Sequence, residues 1–123
     1  MTMRAVLLVA LGGAVGAAAR YGVGVWALRF EVAPWGTWVV NAVGCLLIGV
    51  AIPVLRSDDL RVALLVGVLG AFTTFSTYSA DTVLLWEAGQ RGLAVANAVG
   101  SVVVGVVFVA VGLGVGRMVA PGS

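Results

Sequence analysis

Of the 123 residues none is His and none is Lys, one is Cys, three are Pro, and only 10% are charged. Each shortage removes a class of function. With no imidazole and a single thiol, Cys45, the chain has no nucleophile–base set, no disulfide of its own and no thiolate or imidazole metal cluster. Seven Arg and five acids leave a formal charge of +2 spread over both ends of the apolar segments, which is no footprint for nucleic acid. No glycine-rich phosphate loop follows a strand, because no strand pattern is present. Enzymes and nucleic-acid binders are therefore disfavoured. A soluble domain of this length covers its surface with polar side chains, and a chain that is 62% apolar lacks them.

What the sequence has instead is length without charge. Residues 5–19, 32–55, 62–80 and 92–116 contain no Asp, Glu, Lys or Arg. Each run approaches or exceeds the ~20 residues a helix needs to cross the hydrocarbon core. Backbone groups in lipid must pair within their own segment. The expectation is an all-α membrane protein with a single transmembrane domain over 1–123 and helices at about 3–28, 35–55, 62–86 and 93–118. The opening "MTMRAVLLVALGGAVGAAAR" has the basic, apolar and Ala-x-Ala parts of a secretory signal peptide. The apolar pattern resumes through "YGVGVWAL", however, so a first span is the better account. "RFEVAPWG" reads as an interfacial loop, with Trp26, Trp35 and Trp38 at the headgroup level. "RSDDLR" and "EAGQRG" end the second and third spans, and the tail "APGS" is expected to fray. Arg4, Arg56, Arg61 and Arg117 fall on one side, Arg29 and Arg91 on the other. The bias mildly favours cytoplasmic termini and leaves insertion in both directions open.

Glycine is plentiful, 18 residues, and recurs at helical spacing as Gly12/Gly16, Gly67/Gly70, Gly100 with Gly105, and Gly112/Gly116. Small residues at such spacing let membrane helices approach closely. Four helices packed this way fill their own centre, so an aqueous path is expected between two copies in a symmetric dimer.

Polar residues inside a span cost free energy and point to function. Arg20, within the first span, could snorkel to the interface or draw anions into a vestibule. Asn41 either holds helices together or donates its amide N–H groups to a passing anion. Asn97 and Ser101 share a face of the fourth helix with Gly105, a stripe that faces a partner or a pore. The densest cluster is "GAFTTFSTYS", residues 70–79, with Thr73, Thr74, Ser76, Thr77 and Ser79 beside Phe72, Phe75 and Tyr78. Thr73, Ser76 and Thr77 are spaced to share one helical face, and Phe75 and Tyr78 are three apart. A hydroxyl can bond back to its own helix, which accounts for one or two of these but not readily for five. Gly and Thr clusters can also break a membrane helix and free carbonyls for a cation. The expectation is a third helix broken near its middle. Aromatic rims are electropositive, so ring edges with hydroxyl and amide donors could hold a small anion without a formal charge.

These motifs resemble the small fluoride channels of the CrcB/Fluc family over essentially the whole chain. "GGAVGAAARY" is similar to the family's first-helix signature, "GTWVVNAVGCLLIG" to its second and "GAFTTFSTYS" to its third-helix break, and the Asn97…Ser101 helix completes the pattern. The resemblance implies an antiparallel, dual-topology dimer in the bacterial inner membrane. Its two fluoride pores would run along the subunit interface and relieve fluoride toxicity by passive export. It puts Phe75 and Tyr78 at the two pore aromatics, Asn41 at the pore asparagine, Arg20 at the vestibule, and Ser76, Thr77 and Ser101 on the polar track. Gly70 and Thr73 would give main-chain carbonyls to a structural sodium ion (Na+) at the dimer centre. Two positions depart from the pattern: Tyr78 stands where Phe is usual, and Asp81 where Glu is usual. The partner is a second copy or a homologous sister chain.

Two other readings are compared with it. A small four-helix multidrug exporter needs a membrane-buried carboxylate early in the chain, whereas the first acid, Glu31, falls in a predicted loop. A non-transporting scaffold would use the same polar residues only to join helices.

Overall fold

The structure, a computed structural model, describes residues 1–30, 35–120 and 122, and every regular element among them is helical. Glu31 and the tail positions Pro121 and Ser123 lie outside the described residues, and with them the expectations placed on that loop and that tail. Four stretches are long and apolar enough to cross a membrane: Met3–Phe30, Trp35–Val54, Asp58–Glu87 and Arg91–Val119.

Local chemistry sets their ends. Thr2 starts the first span, its hydroxyl accepting from the Ala5 N–H at 3.2 Å. The third span starts ahead of its apolar run, inside the "RSDDLR" stretch that reads as a loop. Ser57 is the N-cap there, and Asp58 and Asp59 occupy the first turn, where carboxylates offset the positive end of a helix dipole. Arg4 reaches across to pair with Asp59, joining the starts of the first and third spans. Between the third and fourth spans the chain reverses at Gly89, whose φ of +82° is open to glycine at little cost.

The helices pack as two close pairs, the first against the early third and the second against the fourth. Both seams are made of glycine. A Cβ on Gly12 or Gly16 would run into the Ala63 or Val68 carbonyl, and one on Gly67 would lie 3.1 Å from the Gly12 Cα. In the other pair, a Cβ on Gly112 would strike the Leu46 carbonyl and lie 3.0 Å from the Gly49 Cα. In lipid, where helices gain little from hydrophobic exclusion, such backbone contact is a main source of attraction. Gly70 differs. Its imagined Cβ meets only the Leu65 carbonyl, at 3.6 Å, so it is not a seam residue.

The third span is irregular. Residues Val62–Leu69 wind as a wider π-helix. One more turn, Gly70–Phe72, follows, and then Thr73 (φ −82°, ψ 157°) and Thr74 (φ −150°, ψ 118°) are extended before the helix resumes at Phe75. Thr73 is therefore not on one continuous helical face with Ser76 and Thr77, because the backbone between them is not helical. The exposed surface is large. The chain leaves 7618 Å² accessible, where a soluble monomer of 12.4 kDa would leave about 6,100 Å².

Two glycines of the fourth span test the seam. Gly112→Ala is expected to lower stability in detergent by about 1–3 kcal/mol through overpacking. Gly114→Ala, with nothing within 4 Å of its Cβ, should be neutral or slightly stabilising. Thermal unfolding of the two variants makes the comparison, and equal effects would contradict the seam.

Candidate functional site

An extended pair inside a membrane helix raises an accounting problem. Each backbone group left unpaired in lipid costs several kcal/mol, and Thr73–Thr74 interrupts the i→i−4 ladder. Side chains from elsewhere take up the interrupted groups. Asn41, on the second span, grips Thr74 from both sides. Its Oδ1 accepts from the Thr74 N–H at 2.8 Å, and its Nδ2 donates to the Thr74 carbonyl at 3.1 Å. A primary amide is the side-chain copy of a peptide group, which is why Asn can do this and Leu or Ser cannot. Gly44, one turn down the same helix, gives the Thr73 methyl its space.

The Thr74 hydroxyl caps the resumed helix, accepting from the Thr77 N–H at 3.2 Å and donating to Thr77 Oγ1 at 3.1 Å. Arg20 Nε donates to the Ala71 carbonyl at 3.0 Å. Thr73 bonds back to the Leu69 carbonyl with both its hydroxyl, at 3.0 Å, and its N–H, at 3.1 Å. The Thr74 and Thr77 N–H groups, which would serve the Gly70 and Thr73 carbonyls in an unbroken helix, are thus turned to Asn41 and to Thr74 Oγ1. The Gly70 and Thr73 carbonyls are thereby released from helical pairing.

The expected site residues divide between two cavities. An open groove of about 720 Å³ between the second, third and fourth spans gathers Asn41, Gly70, Thr73, Phe75, Tyr78 and Ser101. Arg20 and Thr77 line a second cavity of about 750 Å³ with Asp81, whose Oδ2 accepts from Thr37 Oγ1 at 2.8 Å. Thr74 belongs to both walls. Ser76 lines neither; it is exposed, 3.3 Å from the Thr74 hydroxyl. In the groove, the Phe75 and Tyr78 rings have centroids 5.5 Å apart, and Phe75 is 78% exposed. The Tyr78 hydroxyl does not stand free in the groove but donates to the Ala98 carbonyl of the fourth span at 2.7 Å.

Behind the groove lies a hub that the sequence pattern conceals. Asn97 is 1% exposed. Its Oδ1 accepts from Trp38 Nε1 at 2.8 Å and from Ser101 Oγ at 3.3 Å, and its Nδ2 donates to Thr82 Oγ1 at 2.8 Å. Trp38 is therefore not an interfacial indole with its N–H in water. Its ring lies over Gly100, whose Cβ would be 3.1 Å from it, and its N–H is spent inside the protein. Asn97 and Ser101 do share a face, but only Ser101 continues to the groove wall. Trp38 and Thr82 complete this network, while Thr37 serves Asp81 in the second cavity. Their spacing from named polar positions, Thr37 and Trp38 four and three residues before Asn41 and Thr82 next to Asp81, was the available signal for them, and it is a weak one.

The groove has no charged side chain among its described lining residues, and its uncommitted donors are one N–H of the Asn41 amide and the aromatic ring edges, because the Tyr78 and Ser101 hydroxyls donate to Ala98 and Asn97.

Comparison with known proteins bears on this chemistry. The profile of the family described as CrcB-like protein, Camphor Resistance (CrcB), matches residues 7–113. A protein of Chloroflexus aurantiacus named Fluoride-specific ion channel FluC is 43% identical over 122 residues, covering 94% of this chain and 97% of that one. Proteins of the same name from Agrobacterium fabrum and Paracoccus denitrificans are 44% identical over 119 residues and 47% over 115. They cover 91% and 90% of this chain, and 95% and 93% of their own lengths.

Two substitutions probe the hub and the tether. Asn97→Leu strands the Trp38 N–H and takes one partner from each of the Thr82 and Ser101 hydroxyls, and is expected to cost about 2–3 kcal/mol. Tyr78→Phe loses one bond and should cost about 1 kcal/mol. Thermal melts in detergent read both, and a harmless Asn97→Leu would contradict the hub.

Proposed function

The chain belongs to the CrcB family, and we infer that it is, like the relatives named above, a fluoride-specific ion channel and a multi-pass membrane protein. It makes and breaks no covalent bond in this role. In this role fluoride runs down its own gradient, uncoupled from protons or nucleotide hydrolysis, and cytoplasmic fluoride escapes. The inner membrane of a bacterium is the proposed location.

One observation carries the assignment of the path. The open groove brings Asn41, Phe75, Tyr78 and Ser101 onto one face. Fluoride holds its water tightly, so a path must replace that water with close donors. Ring edges of Phe75 and Tyr78 and the second N–H of the Asn41 amide are such donors, and the Ser101 hydroxyl becomes one when it turns away from Asn97. Thr77 and Ser76, outside the groove itself, would extend the polar track at the start of the resumed helix, and Arg20 would draw anions toward the second cavity, whose wall shares Thr74 with the groove. The Tyr78 hydroxyl, bonded to Ala98, steadies the ring rather than serving the ion.

The groove is open on one side, and Phe75 projects from it. An exposed aromatic ring beside polar donors supports closure by a second subunit. The proposed assembly is an antiparallel dual-topology dimer, of identical chains or of sister chains, with a pore on each side of its axis. The weak Arg asymmetry supports insertion both ways. The released Gly70 and Thr73 carbonyls fit a hard cation, which takes oxygen ligands. Sodium held by these carbonyls would supply positive charge that ties the two interrupted helices together. The uninterrupted helical parts of the chain, 3–27, 35–54 and 91–119, form with it one transmembrane domain.

Phe75→Ile and Asn41→Ala are expected to abolish fluoride flux through reconstituted protein while leaving the dimer intact by crosslinking. Phe75 makes no hydrogen bond through its side chain, so its loss isolates the ring edge from the fold. Undiminished flux in both variants would remove the pore assignment.

A further inference from the structure

The pore reading leaves one cavity unused. Where the second span stops, the third starts and the fourth finishes lies a space of about 410 Å³. Its walls carry Arg56, Arg61 and Arg117 beside Ile52, Pro53 and Leu55. Three of the chain's seven basic residues thus face one small volume. No acidic residue stands among the described residues that line it, and Asp59, close by in sequence to Arg61, is paired with Arg4.

The arginines are not equivalent. Arg61 Nη1 donates to the Ile52 carbonyl at 2.9 Å and the Leu55 carbonyl at 3.1 Å. The Ile52 carbonyl is in the last turn of the second helix and the Leu55 carbonyl just past its end, where the helix has no residues of its own left to pair them. One nitrogen of Arg61 is thereby a helix cap, and the guanidinium is held still with the N–H groups of Nε and Nη2 remaining. Arg117 lies in the last turn of the fourth span. The bland reading is that these charges set topology and offset helix dipoles. That reading requires the charges to be at this end of the bundle, but not that three arginines line one cavity with an apolar wall.

We propose that this cavity binds the phosphate of an anionic phospholipid headgroup. Guanidinium groups match phosphate oxygens with paired N–H donors. The cavity sits at the ends of three membrane spans, the depth of the headgroups, where basic pockets between helices take anionic lipid. Ile52, Pro53 and Leu55 offer apolar contact to the glycerol and the start of the acyl chains. A free phosphate ion has no use for that wall. The site is independent of the ion that the groove conducts.

The test uses the full chain in neutral detergent, with thermal unfolding followed during titration by short-chain phosphatidylglycerol, short-chain phosphatidylcholine or inorganic phosphate. Phosphatidylglycerol should raise the melting temperature saturably, with little response to the other two. Arg117→Gln should weaken the apparent affinity roughly fivefold, and Arg117→Lys, which keeps the charge but not the fork, by less. Arg29→Gln, at the opposite end, should bind as the parent does. An Arg29→Gln loss equal to that of Arg117→Gln would reduce the effect to general surface charge and overturn the site. So would unchanged affinity in both Arg117 variants. A shift reproduced by inorganic phosphate would overturn the lipid as occupant.

Discussion

A primary amide holding an extended residue open inside a membrane helix is the interaction on which the rest of this structure depends. Lipid offers no water to an unpaired peptide group. Thr73 and Thr74 could not leave helical geometry unless something else met their backbone needs, and Asn41 meets both needs of Thr74 at once. Each of the two bonds is worth only about 0.6–1.7 kcal/mol net in a membrane protein. Their absence would cost more, because the alternative is an unpaired N–H and C=O in hydrocarbon. The second span must therefore lie against the third, and Gly44 is small where the Thr73 methyl requires it. The glycine seam between the second and fourth spans then brings Ser101 and the Asn97 hub to the same region.

The arrangement separates two kinds of polar group. Carbonyls freed at Gly70 and Thr73 are acceptors, while the remaining N–H of Asn41 and the aromatic rims can present donors. On the proposed reading the acceptors serve a cation and the donors an anion, and no formal charge is needed in the groove. A charged lining would bind an anion tightly and release it slowly, whereas weak, closely spaced donors allow both entry and exit. Arg20 and Asp81, charged residues set back from the ends of their spans, line the second cavity rather than the groove.

Much of the helical layout was legible in the sequence. Charge-free runs of membrane length marked four helices, and the glycine spacing marked both seams because close approach leaves no room for a Cβ. Gly70 broke that rule, since spacing alone does not distinguish a seam glycine from one on a groove. The cluster at 70–79 announced an unusual segment, but the groups that stabilise it are remote. Asn41 and Thr74 are 33 positions apart, Trp38 and Asn97 59, and Arg20 and Ala71 51. Periodicity reports which face a residue is on, not which distant peptide group it will serve. Trp38 was misread for this reason: an indole near a span end has the composition of an interfacial anchor, and only the tertiary fold brings Asn97 to its N–H. The start of the third span at Ser57 was missed as well: the charge of "RSDDLR" suggested a loop and a start near 62, although Ser-Asp-Asp is a helix N-cap pattern.

The most direct measurement is ion efflux from liposomes reconstituted with the purified chain, with a potassium ionophore carrying the compensating charge and electrodes reading fluoride or chloride. Rapid fluoride release with chloride retained is the result expected of a neutral, donor-lined groove closed by a second copy. Equal release of both anions, or no fluoride release even with a homologous sister chain supplied, would contradict it.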